Sequence, residues 1–209
     1  MMLQADGLAL ERGQRQLFSD LNLCVRSGQA LRVVGPNGAG KTSLLRVLSG
    51  LLQPSAGCVQ WRGKPLSSDR SRLHGELLYA GHQSGIKDDL SAIENVRFGA
   101  ALRGRRCNES QARAALSEAG LGGRVRQAAG LLSQGQRRRV LLAQLLVQPV
   151  PALAVLDEPF NALDQGAVQW LTGVLHDLLD AGGVVVYTTH QNATLRAGAE
   201  QSLVLRGGT

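Results

Sequence analysis

The sequence predicts an α/β fold with a mostly parallel core sheet, an antiparallel β portion at its N-terminal end and a helical lobe inserted in the core. Three observations predict it. Short apolar runs, Ala30-Leu31-Arg32-Val33-Val34, Leu153-Ala154-Val155-Leu156 and Val184-Val185-Val186-Tyr187, read as buried strands. Residues 41–48 and 167–179 carry apolar side chains at helical spacing. Between them, Ser91 to Val147 is helical in pattern, with capping boxes pairing Ser91 with Glu94, Asn108 with Gln111 and Ser133 with Gln136.

In chain order, Leu3 to Leu10 and Leu17 to Val25 alternate apolar and polar residues around Gly13, which predicts a hairpin. The buried strand ending at Val34 leads into Gly35-Pro36-Asn37-Gly38-Ala39-Gly40-Lys41-Thr42-Ser43, and a helix leaves from Lys41. A breaker-rich loop, residues 50–57, precedes a strand from Cys58 to Trp61, and Leu77 to Ala80 is a further strand. The helical lobe spans approximately residues 84–147, with Pro149 and Pro151 expected to close its last helix. Strands at 153–156 and 184–187, the helix between them and a last strand at 202–205 complete one domain over residues 1–209.

The 209 residues suffice for a proper core, at 44% hydrophobic content. No apolar stretch is long enough to cross a bilayer and the first thirty residues carry no secretory pattern, so the expected compartment is the cytoplasm. Cys24, Cys58 and Cys107 lack the spacing of zinc, redox or haem-attachment sites. A net charge of +7 and a pI near 10.1 permit contact with nucleic acid or an anionic membrane, and equally describe Arg-rich solvated helix faces. Aromatic residues, at 3%, are too few for a base-stacking platform, and no nucleic acid is expected.

Residues 35–43 fit the phosphate-loop pattern in its required strand-loop-helix setting. Glycines let successive amides turn inward on a polyphosphate, and the following helix adds its free N-terminal amides. Lys41 would reach the terminal phosphates, and the Thr42 hydroxyl would ligate a bridging Mg²⁺. Asp157 and Glu158 follow a strand at the end where ligands sit in open α/β sheets. Asp157 can hold Mg²⁺ through water, while Glu158 can orient or deprotonate the water that attacks the γ-phosphorus. Ser133 caps a helix whose remaining amides, at Gly135 and Gln136, form a second anion site. His190, past a strand end, is placed to donate to a γ-phosphate, and Gln83, past another, to ligate Mg²⁺ or the attacking water.

Together these residues resemble the ATP-binding subunits of ABC transporters, a branch of the P-loop NTPases of ABC ATPase type. On that resemblance residues 35–42 match Walker A and Gln83 the Q-loop. Leu132 to Gln136 match the signature motif, Leu153 to Glu158 match Walker B with its glutamate, residues 161–164 match the D-loop and His190 the switch histidine. Two departures stand out: Gln134 replaces a usual Gly, and Arg12 occupies the place where an aromatic usually stacks on adenine, for which a guanidinium plane can substitute. The resemblance implies ATP hydrolysis with Mg²⁺, by two copies paired head to tail, each nucleotide lying between one Walker A loop and the other signature helix.

Residues 81–87 with 90–95, the short length and Thr188-Thr189-His190-Gln191 are similar, more narrowly, to the haem exporter ATP-binding subunits of cytochrome c maturation. That implies a peripheral place on the cytoplasmic side of the bacterial inner membrane, with integral membrane partners that handle haem. This chain has no Cys-x-x-Cys-His, and His74, His82 and His176 are isolated. The alternatives are an ABC ATPase subunit for another exported substrate and a soluble, non-transport ABC ATPase.

Overall fold

In the computed structural model, residues 2–13, 15–67, 70–81, 85–189, 195 and 198–206 are described, with the side chains of 70–72 left aside. Among them, two sheets and two groups of helices form the molecule. Strands β1 (Leu3–Arg12) and β2 (Arg15–Val25) pair antiparallel, and β4 (Ala56–Trp61) joins the other side of β1, followed by the two-residue β5 (Lys64–Pro65).

The second sheet runs β6-β7-β8-β3-β9, all parallel. Its members are β3 (Ala30–Val34), β6 (Leu77–Ala80), β7 (Leu153–Leu156), β8 (Val184–Thr188) and β9 (Glu200–Val204). Because the strands are parallel, the chain segments following β3, β6, β7 and β8 all emerge on one edge. Residues 35–43, 81, 157–158 and 189 are therefore neighbours although up to 154 positions separate them.

Alternation along these strands divides the apolar interior. Val33, Leu153, Val155, Val184 and Val186 face the antiparallel sheet and helix α1 (Lys41–Leu48), where Leu3, Leu8, Leu44, Leu45 and Leu48 are buried. Ala154, Leu156, Val185 and Tyr187 face helix α6 (Gln165–Asp180) through Leu171, Leu175 and Leu178. Each such side chain contributes about 1.5–3 kcal/mol by leaving water. Helix α2 (Arg70–Glu76) precedes β6 and has no counterpart in the sequence reading.

Between β6 and β7 lie α3 (Ala92–Leu102), α4 (Glu109–Glu118) and α5 (Gln134–Leu142), packed around a third apolar cluster that includes Val96, Leu116, Leu121 and Val140. All three capping boxes form reciprocally, at Ser91, Asn108 and Ser133. The pattern is not helical throughout. Short 3₁₀ turns at Gly122–Arg124 and Ala129–Leu131 and a bridge between Ser91 and Ala128 interrupt it. Pro149 and Pro151 do not end the last helix: α5 stops at Leu142 and tightens into a 3₁₀ turn over Ala143–Leu146, before either proline.

Candidate nucleotide site

The loop after β3 is shaped by its backbone. Gly35 has φ 153, and a Cβ there would stand 2.3 Å from the carbonyl oxygen of Leu205, so only glycine lets β3 turn away beneath β9. Gly40, left-handed at φ 93, begins α1 with no side-chain cap, and the first backbone bond of the helix is Leu44 N–H to Gly40 O. The amides of the first turn are thus left to an outside acceptor, at the positive end of the helix dipole. Lys41 Nζ folds back to donate to the carbonyls of Gly35 (2.7 Å) and Pro36 (3.0 Å), which holds its charge across the mouth of the loop. Residues 36–39 complete the turn, and Ser43 lies in the first turn of α1.

The carboxylates after β7 meet this loop directly. Thr42 Oγ1 donates to Asp157 Oδ2 at 2.7 Å, an all-oxygen pair of the kind a hard divalent cation takes. Asp157 is 3% exposed, and its other oxygen accepts from Thr188 Oγ1 at 2.7 Å. The same Thr188 hydroxyl accepts from Glu158 N–H at 2.8 Å. Parallel register explains this: Leu156 lies beside Tyr187, so the next residue of each strand, Asp157 and Thr188, must also be side by side.

Glu158 is 9% exposed and adopts φ 50, a left-handed conformation that costs a non-glycine residue roughly 1–3 kcal/mol. That cost is tolerated because the flanking hydrogen bonds over-determine the backbone. Glu158 opens onto a cleft of about 490 Å³ that also exposes Leu132, Gln134, Asn161 and Ala162. Here α5 comes very close to the loop before α6: a Cβ on Gly135 would lie 2.4 Å from the carbonyl oxygen of Ala162. Asp164 ends that loop and caps α6 by accepting from Ala167 N–H at 2.8 Å.

Ser133 is exposed at the start of α5. Its hydroxyl accepts from Gln136 N–H at 3.2 Å, and Gln136 Oε1 accepts from Ser133 N–H at 2.9 Å. This helix start faces outward and is open to another molecule. Arg12 is exposed at the tip of the β1–β2 hairpin, opposite Arg15. The following residues of that hairpin border the loop, since Leu17 and Phe18 pack over Gly40. Gln83 and His190 lie outside the described residues.

Two residues to which the motif reading gave no role prove central. Thr188 ties β8 to both carboxylate residues, and its signal lay in the hydroxyl pair ending a buried strand. Arg138 is 8% exposed on α5 and donates to backbone carbonyls of Gly81 (2.9 Å) and Asp157 (2.6 Å). Burial lowers its pKa, opposed by the negative charges of Asp157 and Glu158. Its signal was only its place as the middle arginine of the exposed-looking run Arg137-Arg138-Arg139.

Residues 18–161 match the family model for the ABC transporter. The cytochrome c biogenesis ATP-binding export protein CcmA of Dechloromonas aromatica is 45% identical over 98% of this chain and 100% of that protein. The protein of the same name from Nitrosospira multiformis is 47% identical over 97% and 98%. Among solved structures, an ATP-binding subunit of an ABC transporter superposes with a TM-score of 0.87 at 23% identity, covering 99% of this chain and 86% of that one. The dimeric ATP-binding cassette MJ0796, in a post-hydrolysis state bound to ADP and Pi, has a TM-score of 0.86 at 23% identity over 98% and 94%. A family match across most of the chain, near-full-length relatives and a shared fold leave one conclusion: the chain belongs to the ABC transporter family, among its ATP-hydrolysing subunits of CcmA type.

Proposed function

We propose that this chain is the ATP-hydrolysing subunit of a membrane complex that acts in haem delivery for c-type cytochrome maturation. The observation that carries the catalytic part is the 2.7 Å contact of Thr42 with Asp157, which brings a phosphate loop and a carboxylate pair into one site. The relatives named for cytochrome c biogenesis and export, alike over nearly their whole length, support the biological part.

In this reading the amides of residues 35–43 and the Lys41 ammonium bind the phosphates of ATP. Thr42 and Asp157 fit Mg²⁺, since two hard oxygen donors already converge and phosphate and water supply the rest. Bound Mg²⁺ would neutralise charge on the β- and γ-phosphates. Glu158, held by its amide on Thr188, orients the attacking water or takes its proton, and Arg12 stacks on adenine. Gln83 ligates Mg²⁺ or the attacking water, and His190 donates to the γ-phosphate.

The outward-facing helix start at Ser133, Gly135 and Gln136 meets the nucleotide of a second copy, paired head to tail. The dimeric cassette bound to ADP and Pi supports that pairing. Among the described residues no helix is long and apolar enough to cross a membrane. In this reading the chain attaches peripherally, on the cytoplasmic face of the inner membrane, beside integral membrane partners. A groove of about 400 Å³ lined by Leu51, Leu77, Gly85, Phe98, Leu102 and Arg103 receives a helix of a membrane partner. Leu51 and Leu102 are 53% and 72% exposed there. Haem stays with the partners.

Deleting the gene in its source organism and staining denatured c-type cytochromes for haem tests the proposal. Loss of stained bands, restored by the wild-type gene and not by Glu158→Gln, is expected. Normal staining with a defect in another export process overturns the haem assignment. ATP turnover by the isolated chain should curve upward with protein concentration, and strict proportionality would count against a paired site.

A further inference from the structure

Arg138 lies between the lobe helix α5 and the strand ends that carry the carboxylate pair. It projects from α5, the helix that Ser133 begins, and it is 8% exposed. Its two terminal nitrogens reach different strands: Nη1 donates to Gly81 O, just past β6, at 2.9 Å, and Nη2 donates to Asp157 O, just past β7, at 2.6 Å. β6 and β7 are paired neighbours, so one planar fork spans both strand ends.

A buried cation is costly unless it is hydrogen-bonded, and burial does depress this one. Both acceptors are backbone carbonyls, so what the guanidinium fixes is the course of the chain. The carbonyl of Asp157 belongs to the peptide unit whose N–H is that of Glu158, and that N–H is itself fixed to Thr188. The peptide plane that aims the Glu158 side chain is therefore held at both edges, by Arg138 through oxygen and by Thr188 through nitrogen.

The Arg138 side chain borders one space and is hydrogen-bonded to the wall of another. Arg138, Asp157 and Glu158 line the cleft in front of the carboxylates, whereas Gly81, at the other end of the fork, lines the apolar groove with Phe98 and Gln144. We infer that Arg138 is a positioning residue that locks the Asp157–Glu158 peptide to the helix starting at Ser133, so that displacement of the groove or of that helix changes the aim of Glu158. This rests on the ATPase reading, and it adds a physical link between partner docking and hydrolysis.

Lysine keeps the charge but offers a single nitrogen in place of the planar fork that spans two strand ends, and methionine supplies neither charge nor donor, which makes the pair of variants diagnostic. A misplacement of about 1 Å at a reacting group costs up to about 100-fold in rate. For the purified chain with Mg²⁺ and ATP, Arg138→Met should lower kcat about 10- to 100-fold, and Arg138→Lys about 3- to 10-fold. KM and the calorimetric affinity for ATP should stay within about twofold in both. Amide hydrogen exchange at Asp157 and Glu158 should quicken in both variants.

An Arg138→Lys protein with wild-type kcat overturns the inference, as does a loss in which affinity, kcat and thermal stability fall in step. If Arg138→Met does not fold, the lysine variant alone decides. The exchange measurement needs no turnover. A wild-type chain that hydrolyses nothing would strike the ATPase reading, while slow, unchanged exchange at residues 157 and 158 in the lysine variant would strike the role of Arg138.

Discussion

The phosphate loop and the acidic strand end share one site and are held by opposite means. The loop is built from nine consecutive residues, and its shape follows from glycine backbone angles and the start of α1. The strand end is built from Asp157 and Glu158 held by Thr42, Arg138 and Thr188, which come from three other elements. A contiguous site can be recognised from a pattern and tolerates change elsewhere. A site assembled from distant elements is sensitive to each of them, and for that reason it can report their movement.

The comparison is sharpened most by separating chemistry from binding. Glu158→Gln should reduce phosphate release roughly 10²- to 10⁴-fold, the range of general-base contributions, while ATP binding persists and a nucleotide-bound dimer accumulates on gel filtration. Full hydrolysis by that variant would break the division of labour. Lys41→Ala should act on the other side, weakening ATP affinity about 10- to 100-fold by calorimetry, as expected for loss of a charge-assisted contact of about 1.5–3 kcal/mol. If instead affinity held and only kcat fell, the loop would be part of the chemistry.

Thr188→Val is expected to be nearly isosteric and to leave Asp157 Oδ1 and Glu158 N–H without their shared hydroxyl. The cost should be about 2 kcal/mol, seen as a melting temperature lowered by about 4–8 °C, with ATP affinity little changed. A melting temperature equal to wild type would mean that the strand end does not depend on β8.

The smallest effect belongs to the lobe. Ser91→Ala removes the cap of α3 and should cost about 1 kcal/mol in denaturant unfolding. It should also change the pH dependence. The Ser91 hydroxyl, then its backbone amide, hold the Glu94 carboxyl below the usual glutamate range. A depressed carboxylate stabilises the fold above its unfolded pKa, and that contribution fades as pH falls through the folded value. Wild type should therefore lose this increment in acid, and Ser91→Ala should show a flatter acid limb.

Much of this was legible because it is local. The loop, the caps at Ser91, Asn108 and Ser133, and the apolar runs of β3, β7 and β8 are each determined within a few residues, and the structure forms them. Asp157 and Glu158 were legible as a strand-end pair, since a parallel sheet gathers such ends on one edge. Arg138 and Thr188 were not, because their partners depend on strand order and register, which no short pattern encodes. The end of α5 was misread for a related reason: prolines forbid a helix from continuing but do not make it reach them. Here the chain left the α-helical path at Leu142.

The third apolar cluster, around α3, α4 and α5, has one more implication. Among the described residues, Ile86, Leu146 and Trp170 lie on the rim of both this cluster and the one beneath α6, and α5 feeds both, with Val140 in the first and Leu141 and Leu142 in the second. A swing of the lobe must therefore slide Leu141 and Leu142 along the interior beneath α6, with the three rim side chains as its greasy bearing. Swelling or shrinking any of those three should alter the swing of the lobe more than the cohesion of the fold, and the indole of Trp170 offers a built-in optical gauge of that swing.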